Sequence, residues 1–256
     1  MLRRLPAARP LPVPARGALE YESQHCNPAR IRRRFGSSRR RPVVGPASTV
    51  VRRVDVVLQN MIEEGLLLVQ EDPQHDLKFG FRCRLLSSFD EIDGARCPRS
   101  GRIKRVKLAA LSVEKVLPLW DSGFPGDRGP YLALDLAKKL LAGTVPATAA
   151  DQEYQRLWRH CDDLIDNHQD KVNVIMVGIA AAQALLEAFW ETPLGCHNVN
   201  DATTDIEIDP AERDASSFAA AAYADGASWE GGSDKQKRLE FWTWWLTSAV
   251  SDATKG

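Results

Sequence analysis

Paired cysteines are what this sequence most clearly lacks. Its five Cys (Cys26, Cys83, Cys97, Cys161 and Cys196) are irregularly spaced, and no two stand as Cys-x-x-Cys. That pattern argues against a disulfide framework and against a zinc ribbon, and it sets a reducing compartment as the expectation. No P-loop, GxGxxG, GxSxG or HExxH occurs, so the usual phosphate-cradling and hydrolytic signatures are missing too. The nearest approach to a membrane span is 172–190. It carries Asn173, Gln183 and Glu187 between acidic flanks and reads instead as a buried central helix. The first 20 residues contain no continuous apolar segment, as a secretory signal requires. Pro6, Pro10, Pro12 and Pro14 would break the amphipathic helix of an organellar transit peptide.

Charge of one sign is missing only on average. The 256 residues have a formal net charge of zero, yet residues 1–50 carry +9, residues 51–110 carry +2 and residues 111–256 carry −11. A basic head is joined to an acidic body. Three regions follow: a disordered Arg/Pro-rich tail over 1–48, a helix-plus-hairpin segment over 49–102, and an all-α domain over 103–256. Beside the run RIRRRFGSSRRR only Phe35 offers a stacking ring, so the tail reads as solvated chain rather than a nucleic-acid arm.

The expected class is mainly α, a helical bundle. Val54, Val57, Leu58, Met61 and Ile62 recur at helical spacing over 49–66, with Ser48 or Thr49 as cap and Gly65 as a stop. The alternation Leu77, Phe79, Phe81, Cys83, Leu85 predicts a strand and, with LLLVQ before it, a β-hairpin. Helix plus hairpin is the skeleton of a winged helix, which gives an alternative reading as a DNA-binding regulator with a helical C-terminal domain.

Beyond residue 103 the period is helical. Val106, Ala109, Val113, Val116, Leu117 and Trp120 form one stripe; Leu132, Ala133, Leu136, Ala137 and Leu140 form the next, between Pro130 and Gly143. Over 151–171, Tyr154, Leu157, Trp158, Cys161, Leu164, Ile165 and His168 make an apolar face opposite Asp162, Asp163, Asp166 and Asp170. Residues 192–212 read as a long polar loop and 213–224 as a short Ala-rich helix. The last helix starts at a capping box, Ser233 with Gln236, and puts Leu239, Trp242, Trp245, Leu246 and Ala249 on one face, with Phe241 and Trp244 on its flank.

Three His–Cys neighbours (His25–Cys26, His160–Cys161, Cys196–His197) do not make a tetrahedral metal set, because adjacent helical residues point about 100° apart. Nor does any motif frame a Cys as a nucleophile. The stretch 198–209 departs from a calcium loop, with Thr203 where glycine is required and Asp209 in the last ligand position. No metal or cofactor is expected.

Two segments carry a resemblance. VLPLWDSGFPGDRGP at 116–130 is a helix end, a Pro-Gly-Asp turn and a Pro start. GASWEGGSDKQKRLEFWTWWLTSAV at 226–250 is a glycine-bracketed Trp turn followed by a capped, Trp-rich helix. Through Trp120, Pro125, Gly126, Asp127, Arg128, Pro130, Trp229, Gly232, Phe241, Trp242, Trp244 and Trp245, the chain resembles the fifth immunity-protein family of bacterial polymorphic toxin systems over about residues 103–250. The resemblance implies a cytoplasmic all-α protein, encoded beside a toxin, that neutralises it by binding and without catalysis. Its partner would be a cognate toxin domain, with nucleases among the toxins expected; neither a membrane nor nucleic acid is an expected partner. A basic nuclease cleft would suit the Asp162, Asp163, Asp166 and Asp170 face.

Overall fold

Helix α6 (Val172–Glu187) is apolar almost all round, and it is buried along most of its length. A helix without a polar face has to be surrounded. Around it pack α3 (Pro98–Gly123), α4 (Gly129–Ala142), α5 (Ala147–Asn167) and α7 (Ala215–Tyr223). Gly178 sets the closeness of approach: a Cβ there would stand 2.6 Å from Cys161 Sγ and 2.9 Å from the Trp120 ring. In a computed structural model the chain is described over residues 47–92, 98–190, 192–197 and 199–255, with the side chains of 47–55, 91, 92, 98 and 99 left aside. The Arg-rich start, Cys26 and Cys97 lie outside what is described; Ser48 and Thr49 fall within the first helix, after its first residue Ala47, and their side chains are not described. Residues 58–255 belong to one unit; of the second unit, 9–57, only the first turns of α1 are described.

Helix α1 runs from Ala47 to Glu71, straight through Gly65. That glycine does not end the helix. It lets the chain pass close to Phe81 and Leu246, either of which a Cβ would meet at 2.9 Å. Leu58, Met61, Ile62 and Val69 are buried.

The expected hairpin is corrected: Phe79–Ile92 is helix α2, and the described residues contain no strand. The alternating residues Leu77, Phe79, Phe81, Cys83 and Leu85 are all buried, but so are Gly80 and Arg82 between them. An element enclosed on nearly every side loses its diagnostic period, and a short apolar run then fits strand or helix equally. The helix removes the structural basis of the winged-helix reading.

Cys83 and Cys196, 113 residues apart in sequence, form a disulfide, with Cα atoms 5.3 Å apart. This corrects the expectation that the cysteines stay unpaired. The partners are brought together by tertiary packing, which spacing does not reveal.

Gly143 ends α4 in the left-handed conformation (φ 70°), donating to Leu140 O. The C-terminal helix starts at α8 (Lys235–Trp244), passes through a π turn (Trp245–Ala249), and ends as α9 (Val250–Thr254). Its cap is Asp234, which accepts from Lys237 N at 3.0 Å, rather than Ser233. Phe241, expected on the flank, is fully buried; Tyr223 of α7 lies over it, ring centres 5.9 Å apart. Trp242, Trp245, Leu246 and Ala249 are buried as expected.

Candidate binding surfaces

The glycine-bracketed turn is built around a buried arginine. Asp225 (φ 54°), Gly226 (φ 147°) and Gly232 (φ 100°) all have positive φ and reverse the chain between α7 and α8. Asp234 N donates to Ala224 O at 2.7 Å and closes the turn. Under it, Arg238 donates to Gly226 O at 2.9 Å and to Gln74 O at 3.0 Å. Trp229, at the tip, is 42% exposed, and the Arg213 guanidinium lies 4.8 Å from its ring centre. A cavity of about 660 Å³ opens beneath Trp229, between the turn, α6, α7 and the segment 205–213.

Behind the wall that Asp76 and Asp205 give to that cavity lies a buried charge network. Arg82 is fully buried on α2. It donates from Nε to Asp214 Oδ2 at 2.8 Å and from Nη2 to Asp205 Oδ1 at 2.6 Å, and also to Leu77 O. Its guanidinium stands 5.1 Å from the Trp242 ring centre. Burial alone would lower the Arg82 pKa, but Asp205 and Asp214 outweigh it and hold the pKa above its ordinary value. Burial pushes the Asp214 carboxyl up, while Arg82, the Ser216 hydroxyl and Ser217 N–H bring it below the usual range. Asp76 accepts from Trp242 Nε1 at 3.0 Å, and its carboxyl is raised by burial and by Asp205. A second buried arginine, Arg105, pairs with Asp90 and Glu187, each at 2.7 Å.

At the opposite motif, Gly126 (φ 87°) turns the chain and Asp127 ties it down. The Asp127 carbonyl accepts from Trp120 Nε1 at 3.0 Å. Its Oδ1 accepts from Gly129 N at 2.8 Å, and Oδ2 lies 2.6 Å from His160 Nε2. Pro130 is buried, whereas Pro125, Gly126 and Arg128 are exposed, with Arg128 stacked 3.7 Å from the Tyr131 ring centre. Both motifs dock on α3: Trp120 belongs to it, and Trp245 donates to Ser112 Oγ at 3.1 Å. Half-buried Trp244 borders solvent, where Lys115 Nζ lies 5.1 Å from its ring centre.

The acidic row lies on and just beyond α5. Asp163, Asp166 and Asp170 are exposed and Asp162 is half-buried. Burial, then Asp163 and Asp166, push the Asp162 carboxyl up to about 6. No group of His, Cys, Asp and Glu among the described residues is arranged to hold a metal ion. His160 pairs with Asp127 rather than acting beside Cys161, whose buried thiol is pushed well above the ordinary range. His25 lies outside the described residues.

Sequence reasoning missed Arg82, Arg213 and Arg238, and the role of Asp205. The available signal was a lone charge inside an apolar run, as in Phe81-Arg82-Cys83; lone charges buried in such runs need partners.

The fold is thus a helical bundle with a buried α6 and two motif-bearing turns that lean on α3. The family model described as Immunity protein Imm5 matches residues 62–252, and the chain belongs to that family. The match begins inside α1 and takes in α2, well before the two motif segments. A search of curated proteins gives no match. Among the described residues, no helix is long and apolar enough to cross a membrane.

Proposed function

We propose that this protein neutralises a cognate bacterial toxin by direct, stoichiometric binding, without catalysis, in the cytoplasm. Membership of the immunity family is the observation that carries the reading.

The surface that suits such a partner is the row Asp162, Asp163, Asp166 and Asp170, on a body of net charge −11. A nuclease cleft is basic because it holds phosphates, and an acidic row occupies it as a charge mimic. Charge complementarity accelerates encounter, while a few desolvated anchors hold the complex. Exposed Trp229 and half-buried Trp244 are anchors of the favoured residue type.

The test is reversal of all four aspartates to Lys, with association to the toxin domain encoded beside the gene followed by stopped flow. Association slows by about tenfold or more at low salt, and the difference closes as salt is raised. An unchanged rate at low salt excludes this face.

A further inference from the structure

The cavity under Trp229 combines a volume of about 660 Å³ with two arginines that make no ion pair among the described residues. That volume lies within the range of small-molecule sites. Arg82 and Arg105 are each bonded to two carboxylates. Arg238 and Arg213, which line the cavity, are held differently. Arg238 is 1% exposed and donates only to the carbonyls of Gln74 and Gly226; Arg213 donates only to Ile208 O. Neither forms an ion pair among the described residues. Buried Arg238 and half-buried Arg213 thus have no directly bonded counter-charge, which is costly. Asp72, Asp76, Asp234 and Glu230 act on Arg238, and Asp205 and Asp209 on Arg213, only without such contact; burial outweighs them and draws both guanidinium pKa values below their ordinary level.

Asp76 does not supply the missing charge in full. Its carboxyl is engaged by Trp242, and burial and Asp205 favour its protonated form. The remaining walls divide by chemistry. Val172, Met176, Ile208 and Phe218 are apolar, whereas the hydroxyls of Ser217 and Ser228 are bonded to Asp205 and Asp76. Asp76, Asp205 and Glu230 also border the space and disfavour a dianion such as phosphate.

We propose that this cavity binds a small monocarboxylate with an apolar body, its carboxylate seated between Arg238 and Arg213 and its body along Val172, Met176 and Phe218. A guanidinium matches a carboxylate with two parallel hydrogen bonds. The inference is independent of toxin binding and is tested on the protein alone.

Calorimetric titration of the full chain with decanoate, 1-decanol and decylamine separates the possibilities. Decanoate binds saturably, and the neutral and cationic analogues bind about tenfold more weakly or less. Arg238→Gln abolishes that preference. Arg238 also holds the turn, so Arg213→Gln is the second variant; it weakens decanoate by about tenfold while circular dichroism and thermal unfolding stay as in the parent. The proposal is overturned if decylamine binds as well as decanoate, if folded Arg213→Gln binds decanoate unchanged, or if no saturable binding occurs up to millimolar probe.

Discussion

Arg82 and Asp205, 123 residues apart in sequence, meet at 2.6 Å in the interior. Their contact joins α2 to the polar segment before α7, and Asp214 completes the arrangement from the α7 cap. Removing the arginine leaves two carboxylates buried without a counter-charge. Arg82→Met therefore destabilises the fold by about 3–5 kcal/mol in urea denaturation. Arg84 faces the other way and pairs with Glu64 and Asp201 where all three side chains are partly in solvent. Arg84→Met changes stability by less than about 1 kcal/mol. Equal effects of the two substitutions would contradict the network as drawn.

Close approach at α6 gives a second prediction. Gly178→Ala forces Cys161 or Trp120 to move and destabilises by about 1–3 kcal/mol. Gly231→Ala, in the Trp turn, meets nothing within 4 Å and has no positive φ, so its unfolding midpoint stays with the parent. Thermal unfolding of both variants, followed by calorimetry, checks the contrast.

The acidic row predicts a titration. Asp162 has its carboxyl raised from the ordinary 3.8 to about 6 by burial, Asp163 and Asp166. A carboxyl raised on folding holds its proton more tightly in the folded state. Stability from this group is therefore greatest at low pH and falls as pH rises from 3.8 to about 6. Carboxyl-detected NMR is expected to show the Asp162 midpoint near 6, moving down in Asp163→Asn. A midpoint in the ordinary aspartate range would contradict the packing described. The row reaches full charge only above this midpoint, so association with a basic toxin speeds up from about pH 5 to about pH 7.

The Cys83–Cys196 bond closes a loop of 113 residues in sequence. Cross-linking so long a segment restricts the unfolded chain, and the oxidised protein is more stable than Cys83→Ser/Cys196→Ser by about 2–4 kcal/mol. Denaturation of the two, without reductant, measures the difference. Coincident curves would show that the two sulfurs are not joined in solution.

Helices α3 to α6 were legible in the sequence because each has one face in water and one in the core, or, for α6, no polar face at all. The Asp row beside Tyr154, Leu157 and Trp158 is the clearest case. Legibility failed where burial erased the period. Around Phe79–Leu85 every second residue was apolar, but Gly80 and Arg82 between them were buried too, and a helix read as a strand. The cavity under Trp229 was hidden for a different reason. Its arginines come from α8 and from the end of the polar loop, and only the fold brings them together. The burial of Phe241 on the flank comes from Tyr223, which covers it from α7 and which a helical wheel does not include.

The central claim is that this chain acts by occupying another protein. Co-expression with the proposed cognate toxin domain, followed by purification and mass measurement of the complex, tests it most directly. The account predicts growth where the toxin alone kills, and a stoichiometric complex that survives gel filtration. Rescue of growth by a sub-stoichiometric amount of this protein, with no complex formed, would contradict it.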